Sequence, residues 1–163
     1  MNAWTRWSSG RHLRSLFAIA ALLSAAAPGA ATAGTTGPGQ RTSTVRAVVR
    51  PATIREGQVF TVEVRGSDLD DATALSAHLV YDPALVEPLP SGFTEGPLLR
   101  RGGAATSFLA RPATTGDRVI LGIARLGREP GARGQGLFCT LAFRALKAGS
   151  GTLVFDRARL TGP

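Results

Sequence analysis

Gly134-Gln135-Gly136-Leu137-Phe138-Cys139-Thr140-Leu141-Ala142-Phe143 is the stretch that decides the fold. Side chains in an extended strand alternate between faces, so Leu137, Cys139, Leu141 and Phe143 fall on one side, and Phe138, Thr140, Ala142 and Arg144 on the other. The first face is wholly apolar. Glycines at 131, 134 and 136 let the chain turn sharply into this strand. The stretch reads as a central core strand of a β-sandwich that works through its surface, without catalysis.

Residues 1–33 stand apart from the fold. Arg6, Arg11 and Arg14 form a basic start, Leu16 to Leu23 an apolar run, and Ala31-Thr32-Ala33 a small-residue exit, the three regions of a signal peptide whose cleavage leaves Gly34 first. The apolar run is much shorter than the ~20 residues that span a bilayer. Removing 33 of the 163 residues leaves 130, enough for one domain with a real core. Three of the nineteen basic residues leave with the signal, so 16 basic and 11 acidic residues remain, a formal charge of +5. The arginines are scattered except for Arg100-Arg101, and no aromatic residues interleave with them, which argues against nucleic acid as a partner. A single cysteine in an exported chain forms no internal disulfide, and the phase of Cys139 makes it a small hydrophobe of the core.

Residues 34–42 offer nothing apolar to bury and read as a flexible leader, so the domain is 43–163. From Val45 the chain reads as short strands between turn signals, with no sustained helical period. Val45, Ala47 and Val49 share one face of the first strand, which Pro51 ends. Phe60, Val62 and Val64 point inward against Thr61, Glu63 and Arg65. Gly66 to Asp71 reads as a polar loop. Leu75, Ala77, Leu79 and Tyr81 then form an inward set opposed by Ser76, His78 and Val80. Ala84 to Leu89 is a turn and a short strand closed by Pro90, 91–106 carries no clear periodicity, and Phe108 to Arg111 is a short strand. The apolar run in Arg118 to Leu126 predicts burial on both faces. A loop from Gly127 to Gly136 leads into the core strand, and Leu153 to Leu160 is the last strand.

Several landmarks occur in order from Val45 to Leu160. They are Gly57-Gln58-Val59-Phe60-Thr61-Val62, Leu79-Val80-Tyr81-Asp82-Pro83 with Leu85, and Gly116-Asp117-Arg118-Val119. Gly134-Gln135-Gly136-Leu137 running to Leu141-Ala142-Phe143-Arg144-Ala145, and Ala148-Gly149 before Leu153, complete the series. In this succession the chain resembles the cohesin domain, within the wider superfamily that includes cellulose-binding modules. The resemblance implies an all-β jelly-roll β-sandwich of about nine strands. It implies that a flat outer sheet face docks a partner module, the dockerin, which attaches polysaccharide-degrading enzymes to a scaffold and carries its own calcium. Cohesins have a further strand beyond the one ending near Leu160, whereas here Thr161-Gly162-Pro163 follows. The first strand then keeps an unpaired edge, or the sequence is a fragment, or a partner supplies the strand.

No catalytic constellation is legible. His78 is the only histidine after residue 33, and its phase puts it on the outer face. The carboxylates Glu63, Glu87, Glu95 and Glu129 are dispersed, and nothing selects an acid/base pair from them. Asp68, Asp70 and Asp71 are dense enough to suggest calcium, but the rest of a calcium-loop motif is absent and an ordinary polar turn explains them. No cofactor is implied. Direct sugar binding wants exposed aromatics, yet Trp4 and Trp7 lie in the signal and Tyr81 points inward, leaving Phe93 and Phe108. The sequence therefore favours an exported protein-binding module using Ser76, His78 and Val80, with a carbohydrate-binding module as the alternative. It also makes Leu137→Asp a core-disrupting change, expected to unfold the domain or cost several kcal/mol.

Overall fold

The computed structural model describes residues 17–18 and 43–162. Apart from Phe17 and Ala18, the expected signal segment 1–33 and the leader 34–42 lie outside the described residues. The strands are β1 (Phe17–Ala18), β2 (Thr44–Arg50), β3 (Thr53–Ile54), β4 (Val59–Ala72), β5 (Ala74–Val80), β6 (Val86–Glu95), β7 (Thr106–Pro112), β8 (Arg118–Arg125), β9 (Ala132–Ala145) and β10 (Val154–Thr161). Two four-stranded antiparallel sheets, ordered β10-β5-β8-β7 and β2-β4-β9-β6, enclose one core, and β1 pairs with β3 in a two-stranded ladder. Among the described residues there is no α-helix, only a 3-10 turn at Arg101–Gly103. The fold is the expected all-β sandwich.

Alternation accounts for much of it. Val45, Ala47 and Val49 of β2, Phe60, Val62 and Val64 of β4, and Leu75, Ala77 and Leu79 of β5 are all core residues. Each fully buried Leu or Phe side chain contributes about 1.5–3 kcal/mol of transfer free energy. Phe143 in β9 sits where both sheets meet. Its ring stacks on Phe60 at 5.7 Å and meets the edge of Tyr81, just beyond β5, at 5.5 Å.

Where strict alternation fails, bulges explain the difference. Gly66 to Asp71 is not a loop: β4 continues to Ala72, and Leu69 and Ala72 are buried. Asp68 and Asp71 take left-handed φ values of 53° and 62°, a conformation Asp tolerates better than most residues. Each shifts the register against β9, so that Leu69 pairs with Gly134 and Ala72 with Ala132. The Gly131 amide donates to Asp71 Oδ1 at 2.6 Å and ties the end of β4 to the start of β9. For the same reason β9 begins at Ala132, inside the stretch expected to be a loop.

A further bulge corrects the reading of the core strand itself. Val64 pairs with Cys139 but Arg65 pairs with Leu137, leaving Phe138 as the extra residue. The phase slips there, so Phe138 and Cys139 are both buried while Leu137 is only half-buried. Gly66 makes the slip possible, because a Cβ at that position would lie 2.7 Å from Phe138 Cε2. Leu137→Asp therefore does not probe the core as expected.

Pro90 does not close β6. As an edge strand β6 needs no donor on its free side, and it runs through Pro88 and Pro90, re-pairing with β9 at Thr94 after a register shift. The chain then straps across the start of β9, with the Leu98 amide on Leu137 O at 3.1 Å, and buries Leu98 and Leu99. These two core residues lie in the segment where the sequence showed no periodicity. In β8 only Val119, Leu121 and Ile123 are core residues, so the expectation of burial on both faces is corrected to one. Among the described residues β2 pairs on one side only, with β4.

Phe138→Ala should cost about 3–5 kcal/mol in urea unfolding, as for a buried aromatic, and Leu137→Ala about 1 kcal/mol; equal losses would refute the bulge. Burial pushes the Cys139 thiol up to about 12, whereas an unfolded thiol ionises near ~8.5. The folded state thus binds the proton more tightly, so this contribution to stability is complete below about pH 8.5 and is lost as the pH rises from there toward 12. Native protein at pH 8 should leave a disulfide reagent unreacted and unfolded protein should consume one equivalent; prompt native reaction would contradict the burial.

Candidate docking face

Each sheet has one face on the core and one turned outward, and the two outward faces differ in chemistry. On the β2-β4-β9-β6 side, Thr61, Glu63 and Thr140 alternate with core residues. Its ion pairs join Glu63 to Arg65 Nε at 2.7 Å and to Arg50 Nε at 3.9 Å, and Glu87 to Arg144 at 3.7 Å, while exposed Arg46 makes no ion pair among the described residues.

The outward face of β10-β5-β8-β7 is built differently. Two central rows of register partners cross all four strands, one of Arg159, Ser76, Gly122 and Leu109 and one of Asp156, His78, Ile120 and Arg111. Val154, Val80 and Arg118 extend the face at one end, and Ala74 and Ala124 at the other. Leu109 is 52% exposed, and a Cβ at neighbouring Gly122 would touch only Leu109 Cβ, at 4.0 Å. The centre is therefore low, flat and largely apolar. His78 Nδ1, in its middle, is shielded from solvent and has no hydrogen-bond partner, a costly state for a polar atom unless something else binds it.

Ionic contacts hold one end of the face rigid. Arg118 donates in bidentate fashion to Asp117, Nε to Oδ1 at 2.9 Å and Nη2 to Oδ2 at 2.7 Å, and its Nη1 reaches Asp156 Oδ2 at 3.4 Å. Thr115 Oγ1 also donates to Asp117. The hydrogen bonds from Arg118, then that from Thr115, hold the Asp117 carboxyl well below the usual carboxylate range.

Ser76, His78 and Val80, the residues expected from the sequence, stand in line along β5 on this face, Ser76 exposed and the other two half-buried. Sequence reasoning missed Leu109, Arg111, Ile120 and Arg159. The inward phase of Phe108 would have put Leu109 and Arg111 outward. Ile120 was hidden in an apolar run, and the placement of Arg159 depends on the bulge between Asp156 and Arg159.

The other residues singled out are placed elsewhere. Phe93 and Phe108 are half-buried against the core, so neither offers an open ring to a sugar. Asp70 pairs with Arg133 at 3.3 Å and Asp71 caps Gly131. Among the described residues no group of three or more His, Cys, Asp or Glu side chains could hold a metal ion.

No protein-family model matches the chain, and no curated protein matches it. Solved structures do. The second type II cohesin module of the adaptor ScaA scaffoldin of Acetivibrio cellulolyticus is 13% identical with a TM-score of 0.65, over 75% of this chain and 80% of that one. A type II cohesin–X-dockerin complex from the same organism matches at 17% identity and a TM-score of 0.62, over 71% of this chain and 78% of that one. A non-cellulosomal cohesin from the archaeon Archaeoglobus fulgidus gives 18% and 0.51, over 66% and 70%. At such low identities the likeness speaks to architecture alone: the chain has the cohesin fold.

Proposed function

We propose that the protein is an exported, non-catalytic binding module that docks a dockerin-type protein through the outward face of β10-β5-β8-β7. The observation that carries this reading is the flat apolar centre of that face, where Leu109 is 52% exposed and Ile120 and Val80 stand on the same side. Exposed apolar area of this kind is stabilised by a partner. Two of the structures sharing the fold are complexes with a dockerin, one of them the third cohesin of ScaC with the ScaB dockerin. Export rests on the signal-like residues 1–33. The cellulosomal source of several neighbours supports a place in polysaccharide degradation with the protein partner, not the sugar, as the ligand. No helix among the described residues is long and apolar enough to cross a membrane.

Calorimetric titration against a panel of dockerin modules tests the reading. At least one should bind, and His78→Asp with Val80→Asp should weaken it by about a hundredfold, since two charges would then be buried against apolar groups. Thr140→Asp, on the opposite face, should leave binding unchanged. If the double variant binds undiminished, the site lies elsewhere.

A further inference from the structure

The charge pattern of the docking face specifies the chemistry of its partner, an inference that rests on the docking role proposed above. Of the carboxylates on or beside the face, Asp117 and Asp156 are both engaged by Arg118, and Asp156 also lies 3.8 Å from Arg157 Nε. Arg111 and Arg159 are exposed, and neither makes an ion pair or side-chain hydrogen bond among the described residues. They stand on the two edge strands, β7 and β10, on opposite flanks of the apolar centre. Three strand spacings and an offset of one row separate their backbones by roughly 15 Å.

We infer that the partner is an acidic protein surface that sets one carboxylate against Arg111 and another against Arg159, roughly 15 Å apart, with an apolar strip between them over Leu109 and Ile120. Guanidinium groups pair with carboxylates in a planar, bidentate fashion, and at the rim of an interface such pairs govern partner choice and encounter rate more than total affinity. On the opposite sheet face Arg50, Arg65 and Arg144 already lie beside Glu63 or Glu87, which leaves Arg46 with no second unpaired arginine across an apolar centre. A helix laid across the strands is the simplest carrier: acidic residues about eleven positions apart lie roughly 16 Å apart on one side of it.

The test uses three synthetic helical peptides with one apolar stripe and, at those two positions, Glu, Gln or Lys. Binding to the purified protein is followed by fluorescence anisotropy. The Glu peptide should bind about tenfold more tightly than the Lys peptide, with an advantage that shrinks as salt is raised. Arg111→Glu with Arg159→Glu should reverse the order, and both sites are exposed enough for the variant to keep its unfolding midpoint. Leu109→Asp should abolish binding of every peptide. If the three peptides bind alike and Leu109→Asp still abolishes binding, the face docks protein but the acidic requirement is wrong. Binding of the Glu peptide that ignores both Leu109→Asp and the charge reversal would remove the docking face as well. Failure of all three peptides to bind, or equally tight binding of a DNA duplex to the same arginines, would overturn the inference.

Discussion

Phe143 is the contact on which both sheets close. Its ring is fully buried, stacks on Phe60 from the neighbouring strand, meets Tyr81 edge-on from the facing sheet, and lies 6.5 Å from Phe93 of β6. Offset and edge-on ring pairs of this kind add about 0.5–1.5 kcal/mol each to what burial alone supplies. A residue meeting three other segments also fixes the sheet register, because a slip of one position would carry it to the solvent face. With the registers of β4, β5 and β9 fixed, each sheet has one committed face, and the character of the other is decided by the residues left over.

Those leftover residues set the difference between the two sides. On β2, β4 and β9 they mix threonines, arginines partly paired to Glu63, and apolar residues such as Val48 and Val59. On β5, β7 and β8 they are mainly small or apolar, with a glycine at the centre and a histidine nitrogen lacking a partner. A flat apolar sheet face is a costly feature for a domain to leave in water, and that cost turns the cohesin architecture into an argument for docking. The arginines flanking it add a sign to the argument, since no carboxylate of the face is free to meet them.

Much of the architecture was legible because β2, the first half of β4, and β5 alternate without interruption, and period two needs no other information. Three places were not legible, and each involves a local departure from that period. Asp68 and Asp71 look like turn residues and do adopt left-handed φ values, yet they bend a continuing strand instead of ending it. Pro90 looks like a stop, but on an edge strand the missing donor costs nothing. Phe138 reverses phase because Gly66, seventy-two positions earlier, leaves it room, a pairing invisible before the strands are set side by side. The candidate docking face was half legible for the same reason. Ser76, His78 and Val80 follow from alternation within one strand, whereas Leu109, Arg111, Ile120 and Arg159 join them only through the order β10-β5-β8-β7.

The central claim is that this chain meets another protein with one particular side of its sandwich. The most direct measurement is site-specific photo-crosslinking of the protein in the cells that make it. A photoreactive amino acid replaces Leu109 on the docking face or, in a parallel sample, Thr140 on the opposite one. The account predicts a discrete protein adduct from position 109 and none from position 140. Adducts from position 140 alone, or equal yields from both, would contradict it.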